Sequence, residues 1–235
     1  MERKNIVVLT GAGMSAESGI STFRDNGGLW ERYNIEDVAT PEGWERDPEL
    51  VTSFYNRRRQ EMLDAQPCMG HCLLAELERF HDVSIITQNV DNLHERAGST
   101  SVLHLHGELM KVTSSLSPNA PEQIIELSPS CADVQYGDPA PDGSPLRPFI
   151  VWFGEAVPLI DDACELCRKA DVLVVIGTSL NVYPAAGLTR CVPPGAPVWL
   201  IDPASVTWNA SGSVRHLRMG ASEGVACFMK ELLEC

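Results

Sequence analysis

The segment NIVVLTGAGMSAESGISTFR, residues 5–24, begins with a β-branched apolar run, Ile6-Val7-Val8-Leu9. Runs of this kind lie buried on both faces of a parallel sheet. Gly11-Ala12-Gly13-Met14-Ser15-Ala16 follows directly and spells G-x-G-x-x-A. In a dinucleotide site of this pattern Gly11 permits a tight turn, Gly13 lets the backbone approach a pyrophosphate, and Ala16 keeps the next helix close to the strand. The N–H groups at the helix start then face an anion. The same glycines also suit a turn used only for close packing. A hydride-transferring enzyme should continue into a full helix and a second strand ending in Asp or Glu about twenty residues on. Here residues 18–30 interrupt that plan, being rich in glycine and small polar residues and carrying Phe23, Arg24 and Trp30. They form either a mobile loop that closes over a bound cofactor or a plain surface loop.

Working outward, 235 residues fit one large domain, or one domain with a small insertion. A hydrophobic content of 44% supplies a real core, and a net charge of −14 disfavours nucleic acid as a main partner. Met1-Glu2-Arg3-Lys4 leads straight into a strand with no apolar leader, and no stretch approaches the roughly 18–20 apolar residues of a membrane span. The expectation is a cytoplasmic protein without membrane partners. Its eight cysteines (Cys68, Cys72, Cys131, Cys164, Cys167, Cys191, Cys227 and Cys235) are scattered, which predicts reduced thiols.

Asp47-Pro48-Glu49 supplies a capping side chain, a proline at the first helical position and an acid in the first turn. The helix should run to about Leu63 with Leu50, Val51, Phe54, Tyr55 and Met62 as its apolar stripe, and Arg58 falls inside that stripe. Tyr55 and Arg58, three apart, project from one face. Arg58 either snorkels past the core or joins Tyr55 in a pocket for an anionic group. A second helix, about His71–Phe80, precedes the strand Val83–Thr87, which ends at Gln88-Asn89-Val90-Asp91-Asn92. Polar side chains at the carboxyl end of a parallel strand stand where open α/β sheets bind ligands. Alternatively Asp91 caps a helix over Leu93–Ala97.

Val102-Leu103-His104-Leu105-His106-Gly107 reads as a short strand with His104 and His106 on one face. His106, at the strand end, is a candidate general base because an imidazole titrates at about 6.5. Two histidines also suit a metal, but no third ligand lies nearby. Residues 108–148 are loop-rich with little periodicity, an insertion packed on the main domain. Beyond Phe149, helix and strand alternate again. A helix near Asp161–Lys169 holds Cys164 and Cys167 on one face. Strands Val172–Ile176, Val198–Ile201 and Val214–Leu217 deliver Gly177-Thr178-Ser179, Asp202 and Ala221 to one edge.

Five motifs resemble those of the sirtuins, NAD-dependent protein deacylases. They are GAGMSAESGISTFR at Gly11–Arg24, TQNVDNLHERAG at Thr87–Gly98, LHGEL at Leu105–Leu109, VWFGE at Val151–Glu155 and GTSLNVYPAA at Gly177–Ala186. The resemblance implies an α/β fold, a doubly wound Rossmann-like parallel sheet (1–30, 71–107 and 149–235) with a smaller helical and insertion module (31–70 and 108–148). It implies that NAD is consumed as co-substrate, held by Gly11, Ala12, Gly13, Ala16, Phe23, Arg24, Trp30, Gln88, Asn89, Asp91, Gly177, Thr178, Ser179, Asp202 and Ala221. By the same resemblance His106, Asn89 and Asp91 are catalytic, and nicotinamide and O-acyl-ADP-ribose are the products. The acyl-lysine peptide would lie as an added strand beside Val151, Phe153, Gly154, Glu155 and Val182.

Tyr55-x-x-Arg58 matches the pair by which one subclass, bacterial and mitochondrial, takes succinyl, malonyl or glutaryl lysine. Most sirtuins also hold a structural zinc with two cysteine pairs between the LHGEL and VWFGE motifs. That region contains only Cys131 here, so no zinc is expected. Protein mono-ADP-ribosylation and a non-catalytic NAD-binding module are the competing functions. The retained His106 disfavours the first, and the full set of polar strand ends disfavours the second.

Overall fold

The computed structural model describes residues 2–20, 33–206 and 214–234. In chain order its elements are β1 (Asn5–Thr10), α1 (Ala12–Ala16), α2 (Ile35–Val38), α3 (Pro41–Arg46), α4 (Pro48–Asp64), α5 (Met69–Leu77), β2 (Asp82–Thr87), α6 (Leu93–Ala97) and β3 (Val102–His104). Then come β4 (Gly107–Ser114), β5 (Ile125–Glu126), β6 (Leu146–Ile150), α7 (Ile160–Arg168), β7 (Val172–Ile176), β8 (Val198–Ile201), β9 (Val214–Leu217) and α8 (Ala221–Glu234).

Six strands form one parallel sheet in the order β3-β2-β1-β7-β8-β9. Numbered within the sheet this is 3-2-1-4-5-6, the doubly wound order, and it reverses direction between β1 and β7. Ile6 lies level with Val83 on one side and Val172 on the other. Alternation along β1 divides its side chains between two cores. Ile6 and Val8 join Ile85, Val174 and Ile176 under Leu74 and Leu77 of α5 and Val225 and Phe228 of α8. Val7 and Leu9 join Leu173, Val175 and Leu200 under Ala163 and Cys167 of α7 and under Ala185 and Leu188. Each Val, Ile, Leu or Phe among them, fully buried, contributes about 1.5–3 kcal/mol.

α4 carries the second module. Asp47 caps it by accepting from Leu50 N at 2.9 Å, Pro48 opens it, and the extended Ala65 ends it. Val51, Phe54, Tyr55, Arg58 and Met62 share a buried stripe, and Val51, Phe54, Tyr55 and Met62 pack with Leu109, Met110, Ile150 and Trp152. On its other flank Arg59 donates to Ala132 O at 2.8 Å, and Asn56 bonds both backbone groups of Val134.

Three sequence expectations change here. Residues 108–148 are not merely loops, since β4 pairs antiparallel with β5 and β6 in a three-stranded sheet. The strand through both histidines stops at His104, because Gly107 turns the chain at φ +82° into β4. Not all cysteines are reduced thiols, because Cys164 is joined to Cys191, with their Cα atoms 5.7 Å apart. α7 presents Cys164 to the end of the Ala185–Arg190 turn, while Cys167 stays a free thiol in the core. Among the described residues no helix is long and apolar enough to cross a membrane.

Candidate active site

A cavity of about 650 Å³ opens at the carboxyl ends of β1, β2, β7 and β8, at the point where strand order reverses. Its β1 wall contains Gly11, Ala12, Gly13 and Ala16, its β2 wall Gln88, Asn89 and Asp91, and its β7 wall Gly177, Thr178 and Ser179. Asp202 and Ala221 also line it, as does His106, which follows β3. Tyr55 and Arg58 reach it from α4. Val151, Phe153, Gly154 and Glu155 face it from one rim, and Val182 lines it too. Every described residue assigned to NAD, catalysis or substrate thus lines one space, whereas His104 does not. Phe23, Arg24 and Trp30 lie outside the described residues.

The glycines of the turn answer first to protein packing. A Cβ on Gly11 would sit 2.7 Å from Thr178 Cβ, and one on Gly13 would sit 2.7 Å from Gly177 Cα. Gly13 N donates to Gly177 O at 2.9 Å, and Gly177 itself needs φ +62°. The strand ends therefore fit together only as bare backbone.

Ser15 was not singled out from the sequence, yet it ties the β2 wall to the turn. Asn89 Nδ2 donates to Gly11 O and to Ser15 Oγ, each at 3.0 Å, and Ser15 Oγ donates to Asp91 Oδ2 at 2.9 Å. Asp91 Oδ1 also accepts from Leu93 N at 3.2 Å, so the carboxylate serves the α6 turn as well as the cavity. Burial raises its pKa, and the Ser15 and Leu93 hydrogen bonds hold it back. A serine inside a glycine turn gave no sign of this, because its partners come from 74 and 76 residues away.

The two histidines have opposite characters. His106 Nδ1 lies 3.0 Å from Gln88 O, and a carbonyl can only accept, so Nδ1 carries the proton and Nε2 keeps its lone pair. Burial lowers the His106 pKa, which keeps the ring neutral at neutral pH. His104 faces acceptors on both sides, Asn89 O at 3.1 Å and Glu95 Oε1 at 2.7 Å. Burial opposes its charge, but the Glu95 hydrogen bond and charge outweigh burial and raise its pKa. Both His104 nitrogens thus face acceptors, which braces the Asn89 backbone and leaves neither nitrogen for a metal. Among the described residues no group of three His, Cys, Asp or Glu could hold a metal ion.

At the far wall, burial lifts the Tyr55 phenol to about 12 and lowers the Arg58 pKa. Trp152, also unremarked in the sequence, donates its indole N–H to Tyr55 Oη at 3.1 Å. Arg147 lies 3.5 Å from the Trp152 ring centre and pairs with Glu155 at 2.8 and 3.1 Å, while Trp152 N donates to Glu155 Oε2 at 2.7 Å.

Residues 11–184 match the model of the Sir2 family. The chain is 63% identical over 230 residues, 98% of each chain, to an NAD-dependent protein deacylase of Bacteroides thetaiotaomicron. It superposes on a Sir2 homologue–NAD complex with a TM-score of 0.83 at 39% identity, covering 97% of this chain and 89% of the other. It also superposes on a Sir2 mutant bound to deacetylated p53 peptide and 3'-O-acetyl ADP-ribose, with a TM-score of 0.78 at 30% identity, covering 98% and 94%.

Proposed function

The chain belongs to the Sir2 family and is an NAD-dependent protein deacylase acting on acylated protein or peptide, and on that premise we propose that it removes acidic acyl groups from lysine, succinyl and malonyl as well as acetyl. One observation carries the proposal. Tyr55 and Arg58 stand three apart on α4, 4% and 9% exposed, and both face the cavity. Arginine meets a carboxylate bidentately, so an acyl carboxylate would be matched there.

The residues present fit NAD. The turn at Gly11–Ala16, the Gly177–Ser179 strand end and Asp202 supply backbone and polar groups along the cavity, and the buried Ser15–Asn89–Asp91 network lines it too. Bound NAD supplies an electrophilic ribose carbon from which nicotinamide can leave. In our assignment Asn89 and Asp91 orient that end, and His106 accepts a proton at Nε2. The peptide runs between the 151–155 rim and Val182, with Phe153 half-exposed to meet it.

The second module is fastened without zinc in this assignment. Ser114 Oγ donates to Asp142 Oδ2 at 2.5 Å, lies 2.9 Å from Ser144 Oγ and accepts from Leu116 N and Ser117 N. Val112, Val134, Ala140 and Leu146 pack beneath that knot. One zinc per chain in purified protein would contradict this part.

The test is incubation with NAD and matched succinyl- and acetyl-lysine peptides, with products followed by mass. Arg58→Met should lower the succinyl-to-acetyl ratio of kcat/KM by tenfold or more, through KM. Equal losses on the two peptides would remove the carboxylate pocket.

A further inference from the structure

The contact between Trp152 and Tyr55 has only one possible direction. An indole N–H donates and cannot accept, so at 3.1 Å the phenol oxygen is the acceptor. The hydroxyl still owns one proton, and Tyr55 makes no other side-chain hydrogen bond among the described residues. That proton is available to whatever enters the cavity.

Several groups fix the indole that imposes this. Trp152 is 3% exposed. Its backbone N–H is held by Glu155, and Arg147 lies over its ring while pairing with the same Glu155 and donating to Ile150 O at 2.9 Å. Trp44 packs tilted against it, ring centres 5.8 Å apart. Rotation of the indole away from Tyr55 would break this set, so the phenol finds its acceptor role already filled.

We propose that Trp152 is a positioning residue for acyl specificity, its indole N–H committing the Tyr55 hydroxyl to donate to the carboxylate of an acidic acyl group. The inference rests on the acidic-acyl proposal and deepens it. A carboxylate only accepts, and an acetyl methyl does neither, so a hydroxyl held as donor discriminates between them. The chain N–H to O–H to carboxylate also polarises in one sense, which strengthens its outer bond. With the phenol lifted to about 12 by burial, that donor stays protonated across the working range.

The experiment uses the full chain with NAD and matched succinyl- and acetyl-lysine peptides. Trp152→Phe keeps a ring for Arg147 and removes the N–H, and the succinyl-to-acetyl ratio of kcat/KM should fall about tenfold through KM. Tyr55→Phe should lower it by a similar factor, and the double variant should go no lower than Tyr55→Phe alone. Losses that multiply in the double variant, or an unchanged ratio in Trp152→Phe, would overturn the inference. If Trp152→Phe folds poorly, β-(3-benzothienyl)alanine incorporated at position 152 keeps the bicyclic shape with sulfur in place of N–H. Retained selectivity in that protein overturns the inference equally. Arg58→Met run in parallel separates the two levels. A ratio that falls with Arg58→Met but not with Trp152→Phe defeats the Trp152 role alone. A ratio that ignores Arg58→Met defeats the acidic-acyl proposal and the Trp152 role together.

Discussion

Gly13→Ala tests how the ends of β1 and β7 meet. The new Cβ would lie 2.7 Å from Gly177 Cα and 3.0 Å from Gly177 O. Carbon atoms in ordinary contact stand about 3.5–4.0 Å apart, so roughly an ångström of separation must be found. No flexible side chain can supply it, since both sides are backbone and β7 is held by β1 and β8. Overpacking of this sort costs about 1–3 kcal/mol. Parting the strands also weakens the Gly13 N–Gly177 O bond, worth about 1 kcal/mol. The expected loss is about 2–4 kcal/mol, a Tm drop of about 5–15 °C for a chain of this size. Urea unfolding followed by circular dichroism measures it, and calorimetry of NAD binding shows whether the displaced turn also weakens the co-substrate site. Gly187→Ala is the control, because nothing lies within 4 Å of its Cβ. A Gly13→Ala protein within about 0.5 kcal/mol of the parent, at an unchanged m-value, would refute the close-approach explanation.

Two further outcomes follow from buried polar groups. Burial holds His71 down to about 4 from the ordinary 6.5, and its Nδ1 accepts from Cys68 N, so protonation breaks a helix-capping bond. A depressed histidine contributes stability that is present above 6.5 and lost as pH falls toward 4, on the order of 2 kcal/mol between pH 7 and 5. His71→Gln should flatten the stability-versus-pH slope in that window, and an unchanged slope would count against it. Ser114→Ala should strip hydrogen-exchange protection from Leu116 and Ser117 by about fivefold while β1 amides keep theirs, since each lost bond is worth about 1 kcal/mol. Loss of protection in β1 as well would mean that the knot is not local to the second module.

The central sheet was legible because β1 and β7 are buried on both faces and so appear as apolar runs, with β2 differing by the single Ser84 between Val83 and Ile85. α4 was legible from its cap, Asp47-Pro48, which acts within three residues. β4 was not, and its register explains why. The pairing with β6 slips between Gly107 and Val112, and neighbours Leu109 and Met110 both enter the α4 core. Strict alternation, the signal of a half-buried strand, is therefore absent. Cys191 lies 27 residues beyond Cys164, and only the fold brings them together. Ser15 and Trp152 escaped for a similar reason. Each acts through one atom on a partner that sequence spacing does not reveal, whereas the strand-end residues announced themselves by position.

The central place of β1 has a consequence for synthesis. Its first neighbour, β2, follows within about 80 residues, but Val172, level with Ile6 on the other side, comes about 166 residues later. At about 5–20 residues per second a ribosome needs roughly ten to thirty seconds to make that span. Until then one edge of β1 has its peptide groups unpaired and its apolar side chains only partly covered. Chains interrupted before β7 should be the form that chaperones hold and that aggregates. The glycine turn is made long before the β7 end against which it closes.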